Sequence, residues 1–244
     1  MKKGKIYGVS LGPGDPELIT LKGLTILKKA DKIFYPGSRD KEGRTTSISK
    51  EILDCFELDQ DKLCGIFLTM SDEREINEVL YDAYFLKIKD AYDAGKQVVF
   101  VSEGDITFYS TFSYLLSRFH KHQLEVEIVA GIPSFLLGTA LHQVPLAILR
   151  ERVAILPRVK DLAEVLNCLD TFETLVLIKV HRVIKELLVL EKSEQLRLLY
   201  CERLGMKNQF ISSNITELAN REIPYFSLVI VQKNNLTHYT KSEI

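Results

Sequence analysis

Three times in the earlier part of the chain, an apolar run breaks at a glycine turn and passes into a helical pattern. Ile6, Tyr7 and Val9 lead into Gly12-Pro13-Gly14. QVVFV at Gln97–Val101 leads into Ser102-Glu103-Gly104-Asp105, and Val126–Val129 leads into Ala130-Gly131-Ile132-Pro133-Ser134. An apolar run without alternation, such as QVVFV, suits a strand covered on both faces, as in the middle of a parallel sheet. Parallel neighbours need crossovers, and the helical segments after each turn supply them. All three turns then lie beyond the C-terminal ends of their strands, the edge where open α/β sheets bind ligands.

The first turn can be read more closely. Asp15 is a good N-cap, and Pro16 sits where a missing N–H costs nothing. Leu18, Leu21, Leu24 and Leu27 follow at helical spacing, so one amphipathic helix with a leucine face is expected to run to Ala30. Glycines before a helix N-terminus let backbone approach a ligand closely, and the same spacing also serves a plain strand-to-helix connection. Spacing alone leaves both readings open.

Further along, Lys32–Tyr35 and Gly65–Leu68 read as strands and Ile48–Leu53 as a short helix. Glu73–Ala94 is a long helix stopped by Gly95, and Thr111–His120 is another helix. The segment from Gly37 to Ser47 is polar and loop-like, with Arg39, Lys41 and Arg44 in it. From Val153 the pattern changes. Strands at Val153–Leu156, Thr174–Val180, Gln195–Glu202, Gln209–Ser212 and Pro224–Val231 are in part too closely spaced for parallel crossovers, so antiparallel pairing is expected. Helical pieces fall at Lys160–Leu169, Val183–Leu190 and Ile215–Ala219. The expected fold class is α/β in two domains. Residues 1–146 form a mostly parallel α/β domain and 147–244 a mixed-sheet domain, with the passage near Gln143–Arg152 and a polar tail after Lys233.

Composition narrows the function classes. The 244 residues are 46% hydrophobic and 27% charged, with a formal net charge of −1. That balance argues against holding nucleic acid by bulk charge. No apolar run is long enough to span a membrane, and the basic start Met1-Lys2-Lys3 is followed by no signal-peptide core. Cys55, Cys64, Cys168 and Cys201 are dispersed without metal-ligand spacing, so they are expected as reduced, buried thiols in a cytoplasmic protein. His120 and His122 would not share a helix face, and His142, His181 and His238 are isolated, so no metal site is expected. No catalytic carboxylate pair, Ser-His-Asp order or Walker lysine is evident.

Taken together, the turns resemble the signatures of the tetrapyrrole (corrin/porphyrin) methylase family. GVSLGPGDPELITLKG at Gly8–Gly23 resembles its N-terminal motif, EGDITFYSTFSYL at Glu103–Leu115 its second and VAGIPSFL at Val129–Leu136 its third. YCERLG at Tyr200–Gly205 and PYFSLVIV at Pro224–Val231 resemble its C-terminal motifs. The matches run in order from about Ile6 to Val231. AGIPSFL, LIKVHR at Leu177–Arg182 and YFSLVIV resemble most closely the members that methylate carbon 20 of precorrin-2 or cobalt-factor II in cobalamin synthesis. One departure is Ile106, which stands where the family's GDP motif has proline.

The resemblance implies S-adenosylmethionine as methyl donor, held in a cleft between the domains, with S-adenosylhomocysteine as product. It implies donor contacts from Pro13, Glu103, Gly104, Asp105, Phe108, Pro133 and Ser134, and from Ile178, Leu204 and Tyr225 beyond them. It also implies a homodimer acting on a small-molecule tetrapyrrole; from charge and hydropathy, neither nucleic acid nor membrane is expected as partner. Precorrin-2 is a polycarboxylate, so positive groups are wanted at the rim of its site. Arg39 and Arg44 are candidates, with Lys179 and Arg182 behind them, and Asp15 is expected to face the ring. Tyr109 and Asp15 are conceivable proton acceptors, and no catalytic residue is assigned. The competing readings are another ring position, a protein acceptor as in diphthine synthesis, or a carrier that binds donor or tetrapyrrole without turnover.

Overall fold

The non-alternating runs become central strands because side chains on both of their faces are covered. In a computed structural model, which describes residues 4–40, 42–69 and 74–234, the contacts divide the chain into two units, 1–134 and 135–244. The basic start at Met1–Lys3, Lys41 and the tail from residue 235 lie outside the described residues.

The first unit holds β1 (Lys5–Ser10), α1 (Leu21–Lys29), β2 (Lys32–Arg39), β3 (Thr45–Thr46) and α2 (Ile48–Leu53). It continues with β4 (Leu63–Thr69), α3 (Arg74–Asp93), β5 (Gln97–Ser102), α4 (Phe112–Lys121) and β6 (Val126–Val129). Its sheet runs β3-β2-β5-β1-β6, with β4 also on β2. Every pairing is parallel except that of β3 with β2. Val98 and Phe100 face one apolar cluster with Phe85, Ile88, Phe112 and Phe119 from α3 and α4. Val99 and Val101 face another with Leu27, Ile52 and Leu53 from α1 and α2. Helices on both faces are what an all-apolar central strand requires.

The leucine face expected before Ala30 is corrected. Pro16–Leu18 forms only a 3-10 turn capped by Asp15, and α1 starts afresh from a Thr20 N-cap whose hydroxyl accepts from Gly23 N. Gly23 and Leu27 are buried while Leu21 is 85% exposed. The face is fixed by Gly23, where a Cβ would sit 3.1 Å from Val9 Cγ1, so α1 lies close on β1 and Leu21 points away. The expected loop from Gly37 is also partly ordered. β2 continues to Arg39, which pairs with Thr45 of the two-residue β3. Gly95, with φ +77°, follows α3 as a stop signal should.

The second unit takes up α5 (Ser134–Leu141) almost from its start, then β7 (Val153–Pro157), α6 (Leu162–Leu169) and β8 (Thr174–Ile178). β9 (Leu196–Glu202), β10 (Phe210–Ser212) and β11 (Ser227–Lys233) complete it, with short helical turns between. The sheet order is β10-β9-β11-β8-β7, antiparallel except for β7 with β8. The division by contacts precedes residue 146 because α5 packs here: a Cβ on Gly138 would meet Cys201 Sγ at 3.0 Å and Leu204 Cδ1 at 3.4 Å. Strand ends shift from expectation at one edge. β8 stops at Ile178 because Lys179 turns left-handed, and β11 begins at Ser227, after Tyr225.

Of the four free cysteines only Cys201 is buried, and burial pushes its thiol up to about 12. Cys55 is exposed, against expectation, because it lies just past the end of the short α2. No helix among the described residues is long and apolar enough to cross a membrane.

One buried carboxylate anchors the second sheet. Glu202 is 1% exposed; Tyr200 Oη donates to it at 2.6 Å, and Arg221 donates to both of its oxygens. Burial pushes its carboxyl up, but the Arg221 and Tyr200 hydrogen bonds outweigh that and hold it below its ordinary 4.5. A lowered folded-state value means the stabilisation is complete above the ordinary value and is lost as pH falls through the folded one. Glu202→Gln should therefore cost about 1–3 kcal/mol at neutral pH. In urea unfolding across an acid series, the gap from the unsubstituted protein should narrow as pH drops below 4.5; a gap constant with pH would refute the assignment.

Candidate functional site

Parallel register sets three strand ends level. Ser10 pairs with Ser102 across β1 and β5, and Val9 with Val129 across β1 and β6. The turns after these strands are then locked together through backbone. Gly12 N donates to Gly104 O at 3.2 Å, and Gly104 N returns a bond to Gly12 O at 2.7 Å. Both glycines have φ in the left-handed range, +81° and +64°. Gly131 fits because it has no side chain, since a Cβ there would lie 2.3 Å from Ser10 Cβ and 2.9 Å from Gly104 O.

Side chains complete the lock. Asp105 Oδ2 accepts from Gly131 N at 2.7 Å, and Oδ1 accepts from Thr107 N at 2.8 Å and from the Thr107 hydroxyl. Burial pushes the Asp105 carboxyl up, but these hydrogen bonds hold it below the ordinary carboxylate range. Glu103 Oε1 accepts from Ser49 N at 2.9 Å and Ser49 Oγ at 2.7 Å, where α2 begins. Both acids thus hold loops in place. Ser10, fully buried, donates to Val129 O at 2.8 Å and accepts from Ile106 N at 2.9 Å. The N–H that proline at 106 would lack is therefore used.

Pro13 is buried between Gly12 and Gly14, while Pro133 lies across from Gly104. Phe108 rests edge-on against Tyr109 at 4.7 Å, and Tyr109 is 51% exposed in a left-handed conformation, φ +50°. Such backbone costs a non-glycine residue roughly 1 kcal/mol or more, and it clusters at functional sites. Ser134 opens α5. Asp15 caps the following 3-10 turn, accepting from Glu17 N at 2.9 Å. Pro13, Glu103, Gly104, Asp105, Phe108 and Pro133 are therefore gathered at one edge of the first unit. Arg39 ends β2, in register with Thr69 of β4, and Arg44 is tied to Asp40 at 2.7 Å.

The remaining expected contacts share one edge of the second unit. Ile178 is level with Leu228 of β11 and Pro157 of β7. Leu204, 4% exposed, follows β9, and Tyr225, 36% exposed, precedes β11. Arg203 N donates to Phe226 O at 3.0 Å and Lys179 N to Ser227 O at 2.9 Å, which holds these ends side by side. Among the described residues no cluster of His, Cys, Asp and Glu could hold a metal.

The family model for tetrapyrrole (corrin/porphyrin) methylases matches residues 5–219. The chain belongs to that family. A cobalt-precorrin-2 C(20)-methyltransferase of Salmonella typhimurium is 31% identical over 94% of this methylase and 97% of the relative. A precorrin-2 C(20)-methyltransferase of Sinorhizobium sp is 30% identical over 93% and 95%. Among solved structures, the uroporphyrin-III C-methyltransferase of Thermus thermophilus complexed with S-adenosylhomocysteine superposes with a TM-score of 0.64. It is 22% identical, covering 94% of this chain and 97% of that one, and shows the shared fold.

Ser10 and Ser49 carry much of the methylase's loop geometry and were not singled out by motif. Ile106 was the available signal for Ser10, since a donor freed where proline is expected needs an acceptor. Ser10→Ala should orphan that N–H and cost about 1–3 kcal/mol. In an Ile106→Pro background there is no N–H to orphan, so the same change should cost distinctly less. Denaturant unfolding of the two single variants and the double variant checks this, and strictly additive losses would refute the coupling.

Proposed function

We propose that this methylase transfers a methyl group from S-adenosylmethionine to carbon 20 of precorrin-2 or its cobalt complex, in cobalamin synthesis. The observation that carries the reading is near full-length alignment, at 30–31% identity, with relatives named for that reaction on either substrate. We place it in the cytoplasm as a homodimer, following the family likeness.

The loop edge fits such a donor. A ligand must come up against backbone, and around Gly104 the space a side chain would fill is open, its nearest neighbour being Pro133 Cα at 4.0 Å. When bound, S-adenosylmethionine supplies an electrophilic methyl on a positive sulfonium. Following the family likeness, we assign Pro13, Glu103, Gly104, Asp105, Phe108, Pro133 and Ser134 of the first unit, and Ile178, Leu204 and Tyr225 of the second, as donor contacts.

These residues act by holding shape. The Gly12–Gly104 pair fixes two turns, Asp105 fixes the third through Gly131 N, and Glu103 ties them to α2. Rigid placement of donor behind an electron-rich ring carbon supplies most of the rate enhancement in a reaction of this kind. Neither Asp105 nor Glu103 is offered as proton acceptor, since their hydrogen-bonded oxygens are engaged in the loop lock. The proton leaving carbon 20 needs only a weak base. For the polycarboxylate ring we keep Arg39 and Arg44 as rim cations and Asp15 as the residue facing it.

The test is incubation of purified protein with methyl-labelled donor and, separately, precorrin-2 and cobalt-factor II. Label on carbon 20 of either, with equal release of S-adenosylhomocysteine, is expected. Label on another ring carbon, transfer only to another acceptor, or donor binding without turnover would each defeat the proposal.

A further inference from the structure

Three strands of the second unit end in the same unusual way. β7 is followed by Arg158 at φ +54°, β8 by Lys179 at +61° and β9 by Arg203 at +48°. Left-handed backbone is unfavourable for long side chains and ordinarily falls to Gly or Asn. Here a cation takes it at three strand ends. β7 and β8 are parallel, and β8 and β9 both run antiparallel to β11, so the three cations share one edge. Backbone bonds lace that edge, with Arg158 N donating to Ile178 O at 3.1 Å, Lys179 N to Ser227 O and Arg203 N to Phe226 O.

The lacing engages their backbone alone; Lys179 and Arg158 face the Tyr225 hydroxyl, and Arg203 lies in the field of the Glu202 carboxylate. None of the three makes an ion pair with a described carboxylate; the nearby Glu202 is bridged by Arg221 instead. Lys179 Nζ lies 5.3 Å from the Tyr225 ring centre. Burial pushes the Tyr225 phenol up, yet Lys179 and Arg158 beside its hydroxyl outweigh that and bring it below its ordinary value.

A second observation points to a ligand. Among the described residues, the buried side-chain polar atoms without a hydrogen-bond partner are Ser227 Oγ and His181 Nδ1. Ser227 is 5% exposed and opens β11 between β8 and β9, and the His181 ring lies 5.7 Å from that of Tyr225. Buried polar atoms are rarely left unpaired, so Ser227 Oγ and His181 Nδ1 are open to a partner from outside the chain, a water or a ligand group.

We propose that this edge is a carboxylate-binding site, with Arg158, Lys179 and Arg203 as its cations and Ser227 and His181 as its neutral polar contacts. The proposal rests on the reading above, which supplies carboxylates from two sources: the side chains of the tetrapyrrole and the amino-acid end of the methyl donor. Both are taken by the same charge-assisted contacts.

The substitutions Arg158→Asn, Lys179→Asn and Arg203→Asn remove charge while easing the left-handed backbone, so thermal unfolding should be unchanged or shifted upward. Two probes separate the sources: uroporphyrin, an octacarboxylate tetrapyrrole, followed by absorbance, and S-adenosylhomocysteine, followed by calorimetry. About a tenfold loss of affinity per cation removed is expected for at least one probe, diminishing as salt is raised. Loss for uroporphyrin alone assigns the ring's carboxylates, and loss for S-adenosylhomocysteine assigns the donor's. Wild-type binding of both probes by all three variants, or no binding of either by the unsubstituted protein, overturns the site. Turnover of precorrin-2 by the unsubstituted protein is scored separately. Absent turnover with binding lost in the variants defeats the methylation reading and leaves the carboxylate site standing.

Discussion

The reciprocal backbone bonds between Gly12 and Gly104 are the constraint on which the first unit's working edge depends. They form because β1 and β5 are parallel and in register, so that Ser10 and Ser102 end together and their turns meet. Only residues that accept left-handed backbone can then lie face to face at this distance. Once the pair is in place, Gly131 has to pass within a methyl's reach of Ser10 and Gly104, and a side chain there would drive the third turn away. The shape of this edge thus follows from strand register plus three glycines. The acids near it are consumed in holding it.

The second unit solves the matching problem differently. Its edge has no run of close-packed glycines. Its strand ends are turned by Arg158, Lys179 and Arg203, whose backbone strain is offset by hydrogen bonds to neighbouring strands. One edge therefore presents bare backbone and little free charge, and the other presents aromatic rings among cations.

Much of this was legible in the residues, for identifiable reasons. QVVFV could be read as a central strand because both faces must be apolar, and Val98 to Val101 do alternate between two clusters. Gly95 marked a helix end because only backbone freedom explains it there. The leucine spacing after Asp15 records period and not contact, so it does not identify the buried face. Close approach of Gly23 to Val9 chose the buried face and left Leu21 in solvent. Of the cations at the second edge, Lys179 is legible from its motif, while Arg158 and Arg203 are not, for a related reason. Nothing in local composition says that Arg158 and Arg203, far apart in the chain, end strands lying one strand from the ends of β8 and β11.

Ile106 shows how a departure from a motif can be read as chemistry. A proline there holds a turn by fixing φ and by presenting no donor. An isoleucine restores the donor, and an unpaired N–H at a position 1% exposed would destabilise the loop it is meant to shape. Ser10 removes the difficulty: its hydroxyl accepts from Ile106 and donates to Val129 O, so one side chain ties the β5 turn to the end of β6. The isoleucine side chain meanwhile joins the cluster formed by Phe100, Phe112 and Leu115. Constraint by a ring is replaced by constraint through a buried hydrogen bond and added packing. The motif's demand is for a rigid turn next to Gly104, and Ser10 with Ile106 meets it by a second route.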